Sequence, residues 1–374
     1  MEILIFILVI VALIVVHEFG HFVVAKLSGM RVDEFGLGYP PRALTIAKVG
    51  ETAYTLNWLP FGGFVKIFGE DPSTTTAQTR LATGQAVDSN SFSSKNRFAQ
   101  ALVLIAGVAM NLLFAYVLIT GALVTGTPRA LDENDLATAR NQELMVASVL
   151  PGSPAALAGL LPGDSITSAK DAKGEWQAVD PKSFSAFIAA SGGSEIVLDV
   201  KRSGEEHLIT AAAATGVAQV DPLRYALGVE VATVGVIPLS LGAAIIEGAS
   251  LTWGATKLTA VGLWHFFAGI FTFSADLSQV AGPVGIAGAV GTASMQGFGD
   301  LFSIMAIISI NLALINLIPV PALDGGRLLF VIVESVIRRP INARVAHTMN
   351  AIGFVFLILL MVVVTAHDIF KIVG

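Results

Sequence analysis

Residues 3–26 read ILIFILVIVALIVVHEFGHFVVAK. Residues 3–16 are apolar without a break, the apolar character resumes at Phe22, and Lys26 closes the run. That gives about the 20 residues a spanning helix needs. A signal peptide would carry a basic leading segment and a small-x-small cleavage site; this stretch starts Met1-Glu2 and runs into ionisable residues, so it reads as a retained membrane helix.

Those residues, His17-Glu18-Phe19-Gly20-His21, form an H-E-x-x-H pattern. Side chains four apart on an α-helix differ by about 40° in azimuth and ~6 Å in height, so both imidazoles reach one ion, by default zinc, and Glu18 is close enough to serve as general base toward a metal-bound water. Ionisable groups inside a span cost roughly 2.5–3.5 kcal/mol each. A structural zinc site returns ~10–16 kcal/mol, so a metal offsets that cost better than hydrogen bonds alone. Two histidines are too few for a catalytic zinc, which takes three protein ligands and keeps one position open.

The natural third ligand lies far downstream. The run Asn311-Leu-Ala-Leu-Ile-Asn316-Leu-Ile-Pro319-Val-Pro321-Ala-Leu-Asp324-Gly325-Gly326 puts an acid at the end of an apolar helix. Its prolines remove helical donors, and its glycines permit unusual backbone geometry. A loop aspartate that merely begins a turn is the alternative reading of Asp324.

Across its 374 residues the chain is 54% hydrophobic and 13% charged, with a mean hydropathy of +0.74, against about 25% charged for a soluble domain. An ordinary soluble enzyme is excluded. The net charge of −6 provides no general basic face for nucleic acid, so no nucleic-acid partner is expected. With no cysteine, disulfides, thiolate nucleophiles and cysteine zinc sites are excluded. Further spans are expected at 98–124, 301–320 and 346–367, which with the first (1–26) makes about four. Lys and Arg concentrate between spans one and two (Lys26, Arg31, Arg42, Lys48, Lys66, Arg80, Lys95, Arg97) and after span three (Arg327, Arg338, Arg339, Arg344). By the positive-inside rule both termini and the long 125–300 stretch face outward.

Residues 31–70 alternate in places and are rich in glycine and proline, which reads as short strands joined by tight turns. The segment 71–97 is a polar, Ser/Thr-rich linker on the inner side. Residues 236–296 read as amphipathic helices lying in the membrane interface. From about 140 to 232 the composition is that of a small α/β module, with strands near 145–150, 165–168, 195–201 and 206–211 and a helix at 181–190. Within it, the run from Pro151 to Ile166 (PGSPAALAGLLPGDSI) resembles the PDZ family, whose members bind extended peptides by strand addition.

H-E-F-G-H ending a first span, followed by N-x-x-P-x-P-x-L-D-G-G, resembles the site-2 protease family of intramembrane zinc metalloproteases. The PDZ-like module and the run from Gln279 to Ile286 (QVAGPVGI) narrow the resemblance to the bacterial branch typified by the regulator of sigma-E protease, here with one PDZ module where many members carry two. The expected fold is a polytopic α-helical membrane protein with a re-entrant β-rich loop and an inserted extracytoplasmic PDZ-like domain. The resemblance implies His17, His21 and Asp324 as Zn2+ ligands, Glu18 as catalytic base, and Asn316 as a contact to substrate or oxyanion. Asn311 is a further candidate substrate contact from a neighbouring helix face. For both asparagines an interhelical hydrogen bond is the structural alternative. It also implies strand pairing of an unwound substrate with the 31–70 loop. Further implications are cleavage of single-span membrane proteins after a first-site cut, with anti-sigma factors or remnant signal peptides as substrates, and a role in stress response. The expected location is the bacterial inner membrane, with the PDZ module on the periplasmic side and the active site toward the cytoplasm. A rival class is a PDZ-containing membrane scaffold with a non-catalytic metal site; an intact Glu18 argues against it.

Overall fold

The computed structural model describes residues 2–70, 89–126, 128–132, 135–202, 204–217, 221, 223–272, 281–339 and 341–373. Most of the expected 71–97 linker therefore lies outside the described residues, as do 273–280. In chain order the elements are α1 (Glu2–Leu27), β1 (Val32–Val49), β2 (Thr52–Ile67), α2 (Arg97–Thr125), β3 (Pro128–Ala130), β4 (Arg140–Val149), α3 (Pro154–Leu157), β5 (Ser165–Lys170), β6 (Glu175–Trp176), α4 (Pro181–Ala190), β7 (Glu195–Arg202), β8 (Glu205–Ala212), β9 (Val229–Val236), α5 (Leu241–Thr272), α6 (Pro283–Gln296), α7 (Phe298–Leu317), α8 (Asp324–Ile337) and α9 (Ala343–Val373). They fall into two compact units: residues 123–240, and the remainder on either side.

In the larger unit, four helices among the described residues are long and apolar enough to cross a membrane: Ile3–Leu27, Arg97–Thr125, Phe298–Leu317 and Arg344–Lys371. The third ends before the expected residue 320. Ile318 leaves the helix with ψ 137°, because it precedes Pro319, whose ring disfavours helical geometry in the residue before it. Asp324 therefore does not end the spanning helix but begins the next one, α8. Gly325 and Gly326 are also helical rather than unusual in backbone. Their role is space: a Cβ on Gly325 would lie 2.3 Å from the carbonyl oxygens of Leu317 and Ile318, and one on Gly326 2.3 Å from that of Val320.

β1 and β2 pair antiparallel with a doubled register. Residues 34–37 of β1 lie between two stretches of β2, pairing with 53–56 on one side and 63–66 on the other, while 42–49 pairs with 52–57. Phe22 of α1 packs edge-on against Phe35 and Tyr54, which seats this sheet on the helix.

Residues 236–296 hold two helices, α5 and α6. The expected amphipathic pattern does not describe α5: its packed stripe is small (Ala244, Gly248, Thr252), while Ile246, Trp253, Leu258 and Trp264 are exposed on the other faces. A small-residue stripe lets helices approach closely, and Gly248 sits where a Cβ would meet Thr120 Oγ1 at 2.6 Å. Asp368 near the end of α9 accepts hydrogen bonds from the Gly282 and Gly285 amides and so caps α6.

The smaller unit is a sheet in the order β3-β9-β4-β5-β7-β8, with β6 beside β5. Alternation places Ile196, Leu198 and Val200 of β7 in a core with Leu144, Val146, Ile166 and Phe184. β9 runs to Val236, four residues past the expected module end at 232, because it lies between β3 and β4 and pairs with both. α4 spans the expected 181–190, capped by Asp180, whose carboxylate accepts from the Lys182 and Ser183 amides.

The buried Asp164 organises the Pro151–Ile166 run. It accepts two 2.7 Å hydrogen bonds from Arg202 and one from the Leu161 amide, while Arg202 also donates to the Gly159 carbonyl. Burial raises the Asp164 pKa, but the Arg202 fork and the amide outweigh it and hold the carboxyl below its usual range. Because the folded value lies below the unfolded one near 4, this contribution is present above about pH 4 and is lost as pH falls through the folded value. Asp164→Asn should lower stability at pH 7 by about 2 kcal/mol and flatten the acid dependence, measured by thermal unfolding of the full chain. Wild-type stability at pH 7 would refute this role.

Candidate metal centre

The helix period puts His17 and His21 on one face of α1, both almost fully buried. Asp324, at the first turn of α8, meets them. Its Oδ2 lies 2.9 Å from His17 Nε2 and 3.2 Å from His21 Nε2, and the two Nε2 atoms are 3.2 Å apart. Among the described residues this is the one group of three His, Asp or Glu side chains close enough to hold a metal ion. A tetrahedral shell with ligand distances of 2.0–2.1 Å separates its donor atoms by about 3.3 Å. Two imidazoles and a carboxylate at these separations therefore fit a divalent cation. Burial raises the Asp324 pKa, but the hydrogen bond to His17 and the facing His21 ring outweigh it and hold the carboxyl well below its usual range. Its carboxylate is anionic at neutral pH.

Space for this cluster comes from α2. A Cβ at Gly107 would lie 2.4 Å from His21 Nε2 and 2.8 Å from His17 Nε2. Gly20 makes the matching concession on α1, where a Cβ would meet the Ala106 carbonyl at 2.4 Å. The two helices cross where neither carries a side chain.

His21 Nδ1 donates to the Val103 carbonyl at 2.7 Å, which leaves the Nε2 lone pair directed at the cluster. His17 Nδ1 faces the side chain of Asn111, at 3.2 Å from Nδ2. Glu18 is partly buried on the neighbouring face, where it accepts from the Val65 amide and its Cγ lies 3.7 Å from the position of a Cβ on Gly63. It thus stands between the metal cluster and the 63–66 stretch of β2.

Of the two asparagines, Asn316 reaches the site, with Nδ2 3.4 Å from His17 Nε2. Asn311 does not: its Nδ2 donates to the Ile307 carbonyl of its own helix. The sequence reading missed Asn111 and Gly107. Their one signal is a polar residue four positions after a glycine within an otherwise apolar span.

Ion pairs fix the helix that carries Asp324. Arg327 pairs with Glu70 at 2.9 Å, just beyond β2, and Glu334 pairs with Arg97 at 2.6 Å, at the start of α2.

The smaller unit has a groove of about 710 Å3 between α4 and β9, lined by Phe184, Ile188, Arg224, Leu227, Gly228 and Val229 among others. β3 pairs only with residues 234–236 of β9. No strand among the described residues pairs with 229–232 on the side away from β4.

A membrane-compatible helical frame around two buried histidines and a partly buried carboxylate, with a glutamate beside them, defines a metallopeptidase class. A model of peptidase family M50 matches residues 5–360. The chain belongs to that family, the site-2 protease family. A Clostridium perfringens protein named as a putative zinc metalloprotease is 34% identical, over 96% of this chain and 95% of its own length. Zinc metalloproteases named RasP from Geobacillus kaustophilus and Oceanobacillus iheyensis are 27% and 28% identical and match 98% and 97% of this chain.

Gly107→Ala should lower metal affinity about tenfold or more, read by elemental analysis after dialysis against a chelator. Gly121→Ala, whose methyl would meet the Phe302 ring at an easier 3.3 Å, is the packing control. Equal metal retention by both variants would show that Gly107 does not make room for the site.

Proposed function

We propose that this protein is a zinc endopeptidase that cleaves single-span membrane proteins within the membrane after a first protease has cut them. The observation that carries the proposal is the convergence of His17, His21 and Asp324 on one point, with Glu18 beside it, at the ends of apolar helices. His17, His21 and Asp324 hold Zn2+. Bound zinc supplies a Lewis acid that polarises the scissile carbonyl and acidifies water.

The protein's own groups do the rest. Glu18 takes the proton of the attacking water and returns it to the leaving amine. Asn316, with its amide at the same centre, holds the substrate carbonyl or the oxyanion that develops from it. A helical substrate offers no free backbone, so it is unwound and added as a strand along residues 63–66 of β2, whose amide at Val65 already meets Glu18. The β1–β2 unit enters the membrane, consistent with the exposed Leu44, Ile46, Leu56 and Trp58.

The smaller unit is a single PDZ-like domain. Its α4–β9 groove admits an extended peptide beside residues 229–232, or the domain acts as a size filter that turns away substrates whose outer part is intact. The protein sits in the bacterial inner membrane, with this unit and both termini on the periplasmic side and the metal toward the cytoplasm. This is the arrangement of the branch typified by the regulator of sigma-E protease, with anti-sigma factors or remnant signal peptides as substrates.

Glu18→Gln should keep zinc at wild-type stoichiometry and slow cleavage of a truncated single-span substrate about 10³-fold. Asp324→Ala should lose zinc and activity together. Cleavage by Glu18→Gln at the wild-type rate, or unchanged zinc in Asp324→Ala, would remove these residues from their roles.

A further inference from the structure

Asn111 lies in the middle of α2 and is completely buried. Its Nδ2 is 3.2 Å from His17 Nδ1, while its Oδ1 is buried with no hydrogen-bond partner among the described residues. Its backbone carbonyl accepts from Ser309 Oγ of α7 at 2.8 Å, so the backbone at this position is held independently of the side chain.

The contact has a chemical consequence. A neutral imidazole carries one proton, on Nδ1 or on Nε2. Asn111 Nδ2 can only donate, so facing it His17 Nδ1 is an acceptor and carries no proton. A histidine that offers Nε2 to a metal must carry its proton on Nδ1, and that proton needs an acceptor. The Asn111 amide is the group facing Nδ1. Turned over about Cβ–Cγ, it presents Oδ1 instead of Nδ2. The turn exchanges one unpaired atom for another, since Oδ1 has no partner to lose, so His17 alone decides the orientation. The amide oxygen and nitrogen are distinguished by their partners and not by shape.

We propose that Asn111 is a positioning residue for the metal centre, whose side-chain amide, turned to present Oδ1, accepts the His17 Nδ1 proton when the histidine gives Nε2 to zinc. The inference rests on the zinc reading above. His21 is served differently, by the Val103 carbonyl, a fixed acceptor that favours one tautomer throughout.

The test is zinc affinity by chelator competition on full-length purified protein, for wild type, Asn111→Leu, Asn111→Asp and Ser309→Ala. Asn111→Leu keeps the shape and removes the acceptor; it should weaken zinc binding about 10- to 100-fold. Asn111→Asp keeps the acceptor and should bind zinc at least as tightly as wild type. Ser309→Ala removes only the bond to the Asn111 backbone and should leave affinity within about threefold. Wild-type affinity in Asn111→Leu would overturn the proposal, as would loss in Asn111→Asp beyond tenfold or loss in Ser309→Ala equal to that in Asn111→Leu. Should Asn111→Leu not fold, Asn111→Ala, which removes the acceptor without adding bulk, takes its place with the same expected loss and the same overturning result. A wild-type protein that binds no zinc would instead sink the zinc reading itself, and this inference with it.

Discussion

Two buried imidazoles and a partly buried carboxylate meet at one point in an apolar helical bundle, and each is expensive there without partners. Satisfying them dictates how α1, α2, α7 and α8 meet. α1 brings both histidines, α2 brings the Val103 carbonyl and the Asn111 amide, α7 brings Asn316, and α8 opens on the carboxylate. The meeting is possible only because side chains are missing where backbones must touch: Gly20 against Ala106, Gly107 against the imidazoles, and Gly325 and Gly326 against the turn from 317 to 320. Gly353 of α9 makes the same allowance, since a Cβ there would come within 2.1 Å of the Pro321 carbonyl.

That turn is where the frame holds its strain. Ala322 has φ 80°, a region its Cβ disfavours, and its amide is held by Asn350 Oδ1. The prolines stop α7, the strained residue redirects the chain, and Asp324 arrives at the start of α8 aimed at the histidines. Two ion pairs then tie α8 to Glu70 after β2 and to Arg97 at the head of α2. The β-sheet, the histidine helix and the aspartate helix are thereby linked around Glu18.

Much of this was legible in the sequence because it is written in local patterns. An H-E-x-x-H pattern within a span fixes two donors on one helix face by the period alone, and an aspartate after N-x-x-P-x-P is conspicuous in so uncharged a chain. The peptidase resemblance agrees with the family match. What was not legible depends on tertiary neighbours. Asn311 and Asn316 look alike in the sequence; the helix turns one to its own backbone and the other to His17. The one sign of Asn111 is its place four residues after Gly107 in an apolar span, which says nothing of what it faces. The glycines after Asp324 suggested special dihedrals and instead serve close packing. The expected module end at 232 falls inside β9, whose sheet neighbours β3 and β4 are remote in sequence, and composition cannot tell the apolar outer face of α5 from a core face.

The central claim is that His17, His21 and Asp324 share one zinc ion. X-ray absorption at the zinc edge of the purified full-length protein tests it most directly. The account predicts a shell of nitrogen and oxygen at about 2.0–2.1 Å, with the outer scattering of two imidazole rings falling to one in His21→Ala. A wild-type shell without imidazole scattering, or one unchanged by His21→Ala, would contradict it.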